Sequence, residues 1–237
     1  MLLFYIRHGD PVYDPDSLTP LGHRQAEALA KRLAMHGVDK IFSSTSERAK
    51  LTAKPSCEIM KKEMTLLDFT NEKYAAEEFG ITLNGKWNWV QGHPEMLEIF
   101  VSPEVRQLGF KWYEHPKLKQ YNFKKGIDRV YDEADKFLLS LGYEHIRYTG
   151  KYRIVKPNGE RVALFAHAGF GLAFMSAILD IPYPEFTAHF DMCHSGMTVI
   201  KFGENGEYAV PQIKTYSSDS HLYREGLPTN YNNAFRF

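Results

Sequence analysis

Three short segments of the sequence combine residue types that bind and transfer phosphoryl groups. Arg7, His8 and Gly9 follow one apolar run, Arg48 lies in the serine-rich stretch SSTSERA, and His167 lies in the turn AHAG after a second apolar run. An arginine presents a planar fork of N–H donors to phosphate oxygens. A neutral histidine acts as a nucleophile or a base near neutral pH. Together these residues predict a cationic pocket that binds a phosphate group.

The backbone around these side chains is also suited to an anion. Gly9 lets a backbone N–H approach a ligand closely. The serines at 43–46 stand where a helix begins and where N–H groups lack helical partners, and Ala168 directly precedes another predicted helix. Each segment alone also fits a structural role, as a charged turn, a helix cap or a buried histidine. The combination favours the functional interpretation.

Alternating strand and helix patterns place the three segments at the ends of strands. Buried strands are predicted at 2–6, 40–43, 65–67 and 161–166, and helices at 20–36, 46–62, 126–141 and 169–181. Pro55 is expected to kink the second helix or to begin a new segment. Hairpins are predicted at 145–155 and at 197–213, and the chain from Ser217 onward is predicted to be irregular. This order predicts an α/β sandwich with a largely parallel sheet, whose ligand sites lie at the carboxyl ends of strands.

Residues 68–120 interrupt this pattern. Their helical periodicity is poor, and they contain all three tryptophans, Trp87, Trp89 and Trp112. The segment is too short for a good core of its own, so we expect one domain over residues 1–237 with 68–120 as an insertion or lid. The tryptophans either line the leaving-group side of the pocket or anchor a small satellite core.

Composition excludes several classes of protein. The 237 residues carry 29 Lys+Arg and 29 Asp+Glu, so the chain lacks the positive field of a dedicated nucleic-acid binder. The two cysteines, Cys57 and Cys193, are too few for a disulfide scaffold. The apolar opening MLLFYI is too short for a membrane span or a signal peptide. These features predict a cytoplasmic protein with no membrane partner, and the neutral charge favours no particular oligomeric state.

The motifs RHG, LTPLGHRQAEALA, SSTSERAKLTA and FAHAG, in this order, resemble the histidine phosphatase superfamily, the phosphoglycerate-mutase-like proteins of branch 1. The resemblance implies a three-layer α/β/α sandwich and a small-molecule phosphate ester as substrate. It implies that His8 attacks phosphorus and becomes a phosphohistidine, with no metal or other cofactor. The phosphoryl oxygens would be bound by Arg7, Arg48 and His167, with Gly9 and Ala168 beside them.

The resemblance also implies a carboxylic acid that protonates the leaving oxygen, some two dozen residues after the second arginine. Glu72 lies 24 residues beyond Arg48 and is the preferred candidate, with Glu77 and Glu78 as alternatives. Six residues after the nucleophile the family usually has an asparagine that contacts phosphate, whereas this chain has Asp14. A carboxylate there would repel a phosphoryl group, so Asp14 either turns away or belongs to a rebuilt corner.

Other functions are also compatible with parts of this sequence pattern. A phosphoglycerate-mutase-type phosphotransferase and a catalytically degenerate protein that binds a phosphorylated ligand would share these motifs. A nicotinamide-dependent enzyme would rest on residues 169–174 alone, and the fingerprint fails because Phe174 stands where it needs a small residue. His189, Cys193 and His194 lack a recognised metal-ligand spacing. His221 is either a pocket residue or a structural contact, of which the second is favoured.

Overall fold

A computed structural model describes residues 1–232 of the chain. Its α-helices are α1 (Pro20–Ala34), α2 (Glu47–Met60), α3 (Glu72–Phe79), α4 (Pro94–Phe100), α5 (Pro103–Leu108), α6 (Phe123–Ser140), α7 (Ala168–Leu179), α8 (Tyr183–Thr187) and α9 (Ser220–Arg224). Its strands are β1 (Leu2–Arg7), β2 (Pro11–Tyr13), β3 (Asp16–Leu18), β4 (Lys40–Ser44), β5 (Met64–Leu67), β6 (Gly80–Leu83), β7 (Lys86–Trp89), β8 (Tyr143–Ile146), β9 (Lys151–Ile154), β10 (Arg161–Ala166), β11 (Met197–Lys201), β12 (Tyr208–Ala209) and β13 (Gln212–Ser218).

The central sheet has the strand order β13-β11-β1-β10-β4-β5. Strands β1, β10, β4 and β5 run parallel to one another, whereas β11 and β13 pair antiparallel at one side. The predicted, mostly parallel sheet is confirmed. The carboxyl ends of β1, β4 and β10 therefore meet at one edge, which brings together the three segments that carry the candidate site.

Helices cover both faces of this sheet. Alternate residues of β1 point to opposite faces, as the period of a strand requires. Phe4 and Ile6 pack in a buried cluster with Leu29 of α1, whereas Leu3 and Tyr5 join the larger cluster that contains Phe174 of α7. This arrangement confirms the three-layer α/β/α sandwich. No helix in the described part of the chain has the length and apolar character needed to cross a bilayer.

The loop after β1 is held by the first turn of α1. Thr19 caps this helix by accepting a hydrogen bond from the backbone N–H of Gly22 at 3.0 Å, and Pro20 occupies the first helical position. A Cβ on Gly22 would lie 2.2 Å from the carbonyl oxygen of Asp10, and a Cβ on Gly9 would lie 2.7 Å from that of Gly22. Backbone therefore packs directly on backbone here, and the two glycines fix the path of the chain that carries His8.

Two local predictions need correction. Helix α2 runs through Pro55 as one element, so no new segment begins there, because its buried residues, among them Ala53, pack against the sheet and α1 and offset the lost hydrogen bond. The predicted hairpin at 197–213 forms only in part. Strand β11 pairs antiparallel with β13, with Ile200 opposite Ile213, whereas β12, predicted as part of the same second strand, pairs with β9. Pro211 lies between β12 and β13, and because it has no N–H to donate, it ends the predicted strand.

The segment from Ser217 onward also differs from its prediction, since it contains the end of β13 and the whole of α9. Within the 68–120 insertion, helices α3, α4 and α5 surround the short hairpin β6–β7. Trp112 is buried among Phe100, Phe123 and Tyr183. These residues belong to the same large cluster as β1 and α7, so Trp112 anchors the insertion to the main core and not to a satellite.

A buried histidine joins the far end of α7 to its neighbours. The Nδ1 of His145 lies 2.8 Å from Asp135 of α6, and its Nε2 lies 3.1 Å from Asp180, which ends α7. The ring stacks between Tyr131 and Tyr152. Burial alone would lower the pKa of His145, but the two carboxylates raise it above its usual value. Both ring nitrogens face acceptors, so the protonated form satisfies both contacts.

We expect His145→Gln to destabilise the protein most at acidic pH. Because the folded pKa of His145 lies above the unfolded one, its contribution is complete below the unfolded pKa of about 6.5 and is lost as pH rises through the raised folded value. Urea unfolding should show the natural chain more stable than the variant by about 1–3 kcal/mol in acid. This difference should shrink at alkaline pH; a difference that grows with pH would contradict the assignment.

Candidate active site

Arg7 and His8 lie at the carboxyl end of β1, and both are buried. Arg7 donates from one terminal nitrogen to the carbonyl oxygen of Met192 and from the other to Oδ1 of Asn232 at 2.5 Å. Its Nε–H has no hydrogen-bond partner among the described residues. An arginine held by two nitrogens, with a third buried donor unsatisfied, is suited to an anionic oxygen.

His8 is fixed in one tautomer by its neighbour. Its Nδ1 lies 2.7 Å from the carbonyl oxygen of Gly9. Since a carbonyl only accepts, Nδ1 carries the proton, and Nε2 keeps its lone pair. Burial, and next the charge of Arg7, hold the pKa of His8 well below its usual value, with His167 and Arg48 acting in the same direction. The imidazole is therefore neutral near pH 7, which is the form that attacks an electrophile.

Arg48 and His167 approach the same place from β4–α2 and β10–α7. Arg48 donates to Asp16 at 2.7 Å and to Nδ1 of His167 at 3.1 Å, and its Nε–H is buried without a partner within residues 1–232. The Nε2 of His167 lies 2.9 Å from the hydroxyl oxygen of Ser44. Burial and the two arginines lower the pKa of His167 well below its usual value. Its ring centroid is 5.2 Å from that of His8.

Asp16 is a residue that sequence reasoning missed. It lies in β3, in a small hairpin with β2, and besides Arg48 it accepts a hydrogen bond from the backbone N–H of Glu47 at 2.7 Å. No spacing rule connects it to Arg48, because the contact depends on how this hairpin folds over α2. Asp14, by contrast, is exposed and does not line the cavity, so its carboxylate is turned away from the site.

Glu72 begins α3 and reaches the start of α7. Its two carboxylate oxygens accept hydrogen bonds from the backbone N–H groups of Gly169 and Phe170, each at 3.0 Å. Burial raises the pKa of Glu72 above its usual value, although these hydrogen bonds and Arg48 oppose the shift. A carboxyl with a raised pKa remains protonated to higher pH and is suited to donate a proton.

The two alternative glutamates lie elsewhere. Glu77 is exposed on the outer side of α3, and Glu78 is buried in a bidentate ion pair with Arg129, at 2.7 Å and 2.6 Å. Neither lines the cavity that contains His8, whereas Glu72 does. The helical period separates them, because residues five and six positions after Glu72 point to other sides of the same helix.

Ala168 and Gly9, both predicted to lie beside the phosphoryl oxygens, have different positions relative to the cavity. Ala168 lines the cavity at the first position of α7. Gly9 is not among the described lining residues, and its N–H donates to the hydroxyl of Thr52 at 2.9 Å. Its close approach to α1 gives Gly9 a structural reason to be glycine, and its N–H already has a partner in Thr52.

These side chains surround one end of an open cavity of about 900 Å³. Trp87 and Trp89 of the β6–β7 hairpin form part of its outer wall, and Phe190 and Asp191 form another part. Trp87 and Trp89 therefore line the cavity, whereas Trp112 is buried in the main core and not in the predicted satellite core. Nothing in the sequence pattern around Phe190 and Asp191 pointed to the cavity.

Comparison with known proteins places this geometry in a family. Residues 3–82 match the family model of the histidine phosphatase superfamily, branch 1. Over residues 3–82 this match confirms the resemblance to the superfamily. The segments RHG, LTPLGHRQAEALA and SSTSERAKLTA all fall within the matched range. No curated protein sequence matches the chain.

Solved structures of several phosphatases share the fold. A phosphoserine phosphatase from Entamoeba histolytica, in complex with 3-phosphoglyceric acid, is 18% identical, with 93% of this chain and 98% of that chain covered and a TM-score of 0.59. A mycobacterial glucosyl-3-phosphoglycerate phosphatase in complex with VO3 is 18% identical, with 92% and 99% covered and a TM-score of 0.59. The α-ribazole phosphatase of Shigella flexneri is 18% identical, with 92% and 96% covered and a TM-score of 0.58.

The three candidate ligands of the histidine-rich segment near position 190 have different surroundings. His194 stacks beside His8, with its Nε2 3.0 Å from Oδ1 of Asn232, whereas Cys193 is buried against Ser217 and His189 is exposed at the cavity mouth. No group of three potential ligands is found within the described part of the chain. His221, likewise, is buried away from the cavity and bonds to the hydroxyl of Ser195 at 2.9 Å.

Gly169 is packed so closely that an added methyl group would disturb the site. A Cβ there would lie 2.4 Å from the ring of Trp89 and 2.8 Å from Oε1 of Glu72. We expect Gly169→Ala to displace the carboxyl of Glu72 and to lower kcat/KM for a phosphate ester by roughly 10–100-fold. Gly159→Ala is the matched control, because its nearest atom would lie 3.5 Å away. Equal activity of the two variants would show that Glu72 needs no such support.

Proposed function

We propose that this protein is a metal-independent phosphomonoester hydrolase that forms a phosphohistidine on His8. The observation that carries the proposal is the unprotonated Nε2 of His8 beside two arginines whose buried Nε–H groups have no partner among the described residues. A phosphoryl group would satisfy those donors and place phosphorus near the nucleophile. The arginines supply the positive charge that a metal ion provides in other phosphotransfer sites.

In the first step, Nε2 of His8 forms a bond to phosphorus, and the bond from phosphorus to the ester oxygen breaks. Glu72 donates its proton to that oxygen, and the alcohol leaves. The ring of His8 gains positive charge as it takes up the phosphoryl group. Its Nδ1–H already donates to the carbonyl of Gly9 at 2.7 Å, and this hydrogen bond strengthens as the charge develops.

In the second step, the carboxylate of Glu72 takes a proton from water as the water oxygen bonds to phosphorus. The bond from phosphorus to Nε2 breaks, its electron pair returns to the ring, and inorganic phosphate is released. Arg7 and Arg48 bind the phosphoryl oxygens in both steps. His167 orients Arg48 through the 3.1 Å contact and lies close enough to His8 to contact the transferred group as well.

Hydrolysis is favoured over phosphotransfer between two ligands by the names of the structural neighbours. The Entamoeba, mycobacterial and Shigella proteins are all phosphatases. We also propose that residues 1–237 form one domain in which the insertion at 68–120 forms the wall facing the leaving group. Glu72, Trp87 and Trp89 all belong to this insertion and line the cavity.

The proposal is tested by hydrolysis of p-nitrophenyl phosphate with EDTA present. We expect turnover that EDTA does not reduce, and a rapid-quench experiment in which labelled phosphate attaches to the chain in an alkali-stable, acid-labile form. Loss of activity with EDTA would contradict the metal-independent mechanism. Transfer of the label to a second phosphoglycerate faster than to water would indicate a mutase, and phosphate binding without turnover of any ester would indicate a ligand-binding protein.

A further inference from the structure

The outer half of the cavity indicates what kind of alcohol the site releases, an inference that rests on the proposed hydrolase function. Trp87 is 56% exposed and Phe190 is 42% exposed, although both are large apolar side chains. Exposed aromatics on a soluble protein need no explanation when scattered, but these two line one cavity that leads to His8. They form an apolar mouth to a cationic site.

The aromatic faces are held in place by the fold. Trp87 contacts Trp89 edge to face, with ring centroids 6.0 Å apart, and its ring lies against Gly80 so closely that a Cβ there would be 2.6 Å from it. On the other wall, Phe190 stacks on the buried ring of Phe186 at 4.6 Å. Rings fixed in this way lose little conformational freedom when a flat ligand binds against them.

Few charged side chains line the cavity. Arg7 and Arg48 lie at the end that contains His8, and among the described lining residues there is no other arginine and no lysine. The carboxylates of Glu72 and Asp191 line the same cavity and both act electrostatically on Arg7, and Asp191 is exposed. Once a phosphoryl group is bound by the two arginines, a carboxylate on the leaving group would meet these two acids and would lose solvation without gaining an ion pair with an arginine or lysine.

We propose that the cavity selects phosphate monoesters whose leaving group is an uncharged aromatic or heteroaromatic alcohol and discriminates against leaving groups that carry a carboxylate. The phosphoryl group binds at Arg7 and Arg48, and the ring of the leaving group packs against the exposed aromatic side chains that line the cavity, Trp87 and Phe190. Esters such as 3-phosphoglycerate lack the ring and bring a negative charge toward Asp191.

The test uses phosphonates, whose carbon–phosphorus bond a phosphatase of this kind does not cleave, so that binding is measured apart from turnover. Calorimetry should show benzylphosphonate bound about tenfold more tightly than phosphonoacetate, which carries a carboxylate in place of the ring. Cyclohexylmethylphosphonate, which is apolar but not aromatic, should bind between the two. Equal or tighter binding of phosphonoacetate overturns the proposal, and so does the absence of binding by all three.

Variants locate the selectivity. Trp87→Ala should weaken the binding of benzylphosphonate about tenfold and have little effect on the binding of phosphonoacetate. Trp87→Phe should retain most of the preference. Tyr223 is an exposed aromatic residue on α9 outside the cavity, so Tyr223→Ala should change the binding of neither phosphonate. Asp191→Asn should strengthen the binding of phosphonoacetate severalfold. If His189 instead recruits carboxylates, His189→Gln will weaken phosphonoacetate, which overturns the proposal.

Turnover separates this proposal from the one on which it rests. We expect kcat/KM for benzyl phosphate to exceed that for 2-phosphoglycolate and 3-phosphoglycerate. Hydrolysis with the opposite preference would leave the phosphatase function intact and overturn the selectivity. Selective binding of benzylphosphonate with no hydrolysis of any ester would overturn the phosphatase function and leave the selectivity intact.

Discussion

Replacing His8 with alanine is expected to reduce the turnover of p-nitrophenyl phosphate by roughly 10⁴–10⁶-fold. The neutral Nε2 of His8 is the atom that would form the bond to phosphorus, and alanine leaves no nucleophile in its place. Rapid quenching should recover no labelled phosphoenzyme from the variant. Binding of inorganic phosphate, measured by calorimetry, should change only severalfold, because Arg7 and Arg48 remain.

His23→Ala is the matched control, since His23 is exposed on α1 and does not line the cavity. It should retain the activity of the natural chain. Turnover that survives His8→Ala at more than a few per cent of its original rate would show that water attacks the ester directly, and the phosphohistidine would then have to be abandoned. Melting temperatures of the two variants distinguish a lost nucleophile from a misfolded protein.

The second large effect concerns Glu72. We expect Glu72→Gln to slow hydrolysis of an alkyl phosphate by about 10²–10⁴-fold, and that of p-nitrophenyl phosphate far less. An alkoxide needs a proton to leave, whereas p-nitrophenolate leaves without one. Glutamine preserves the shape of the side chain but cannot donate the acidic proton. The ratio of kcat/KM for the two esters, compared between the natural chain and the variant, measures this difference.

Glu77→Gln, on the same helix but exposed, serves as the control and should leave the ratio unchanged. The pH dependence gives a second readout. Because burial raises the pKa of Glu72, the protonated acid persists above the usual range of a glutamate, and the alkyl ester rate should fall as pH rises through that pKa. Equal losses on both esters in Glu72→Gln would remove the proton-donor role from this residue.

The two histidines and two arginines of the candidate site show what the local sequence pattern can predict. Arg7, His8, Arg48 and His167 each follow a strand or begin the helix after it, and such positions in a parallel sheet meet at one edge. Their proximity could therefore be predicted without knowing any side-chain contact. The tautomer of His8 could not, because it depends on which atom the ring faces, here the carbonyl of Gly9.

The candidate proton donor could not be chosen from the local sequence pattern. Spacing along the chain left Glu72, Glu77 and Glu78 as candidates, and only the direction of α3 places Glu72 against the N-terminus of α7. The hairpin predicted at 197–213 is a similar case. Turn residues at 203–206 are compatible with several pairings, and the β11–β13 pairing was decided by Pro211 and the edge available on the sheet.

The amino-acid sequence by itself determined the sandwich, the mostly parallel sheet and the four cationic or nucleophilic residues, because these follow from local periodicity and from the residues next to each strand. Tertiary structure alone decided which of the three candidate glutamates lines the cavity, the partner of Arg48 at Asp16, and the division of the tryptophans between cavity and core. These depend on contacts between segments far apart in the chain, whose orientation is set by packing and leaves no period in the sequence.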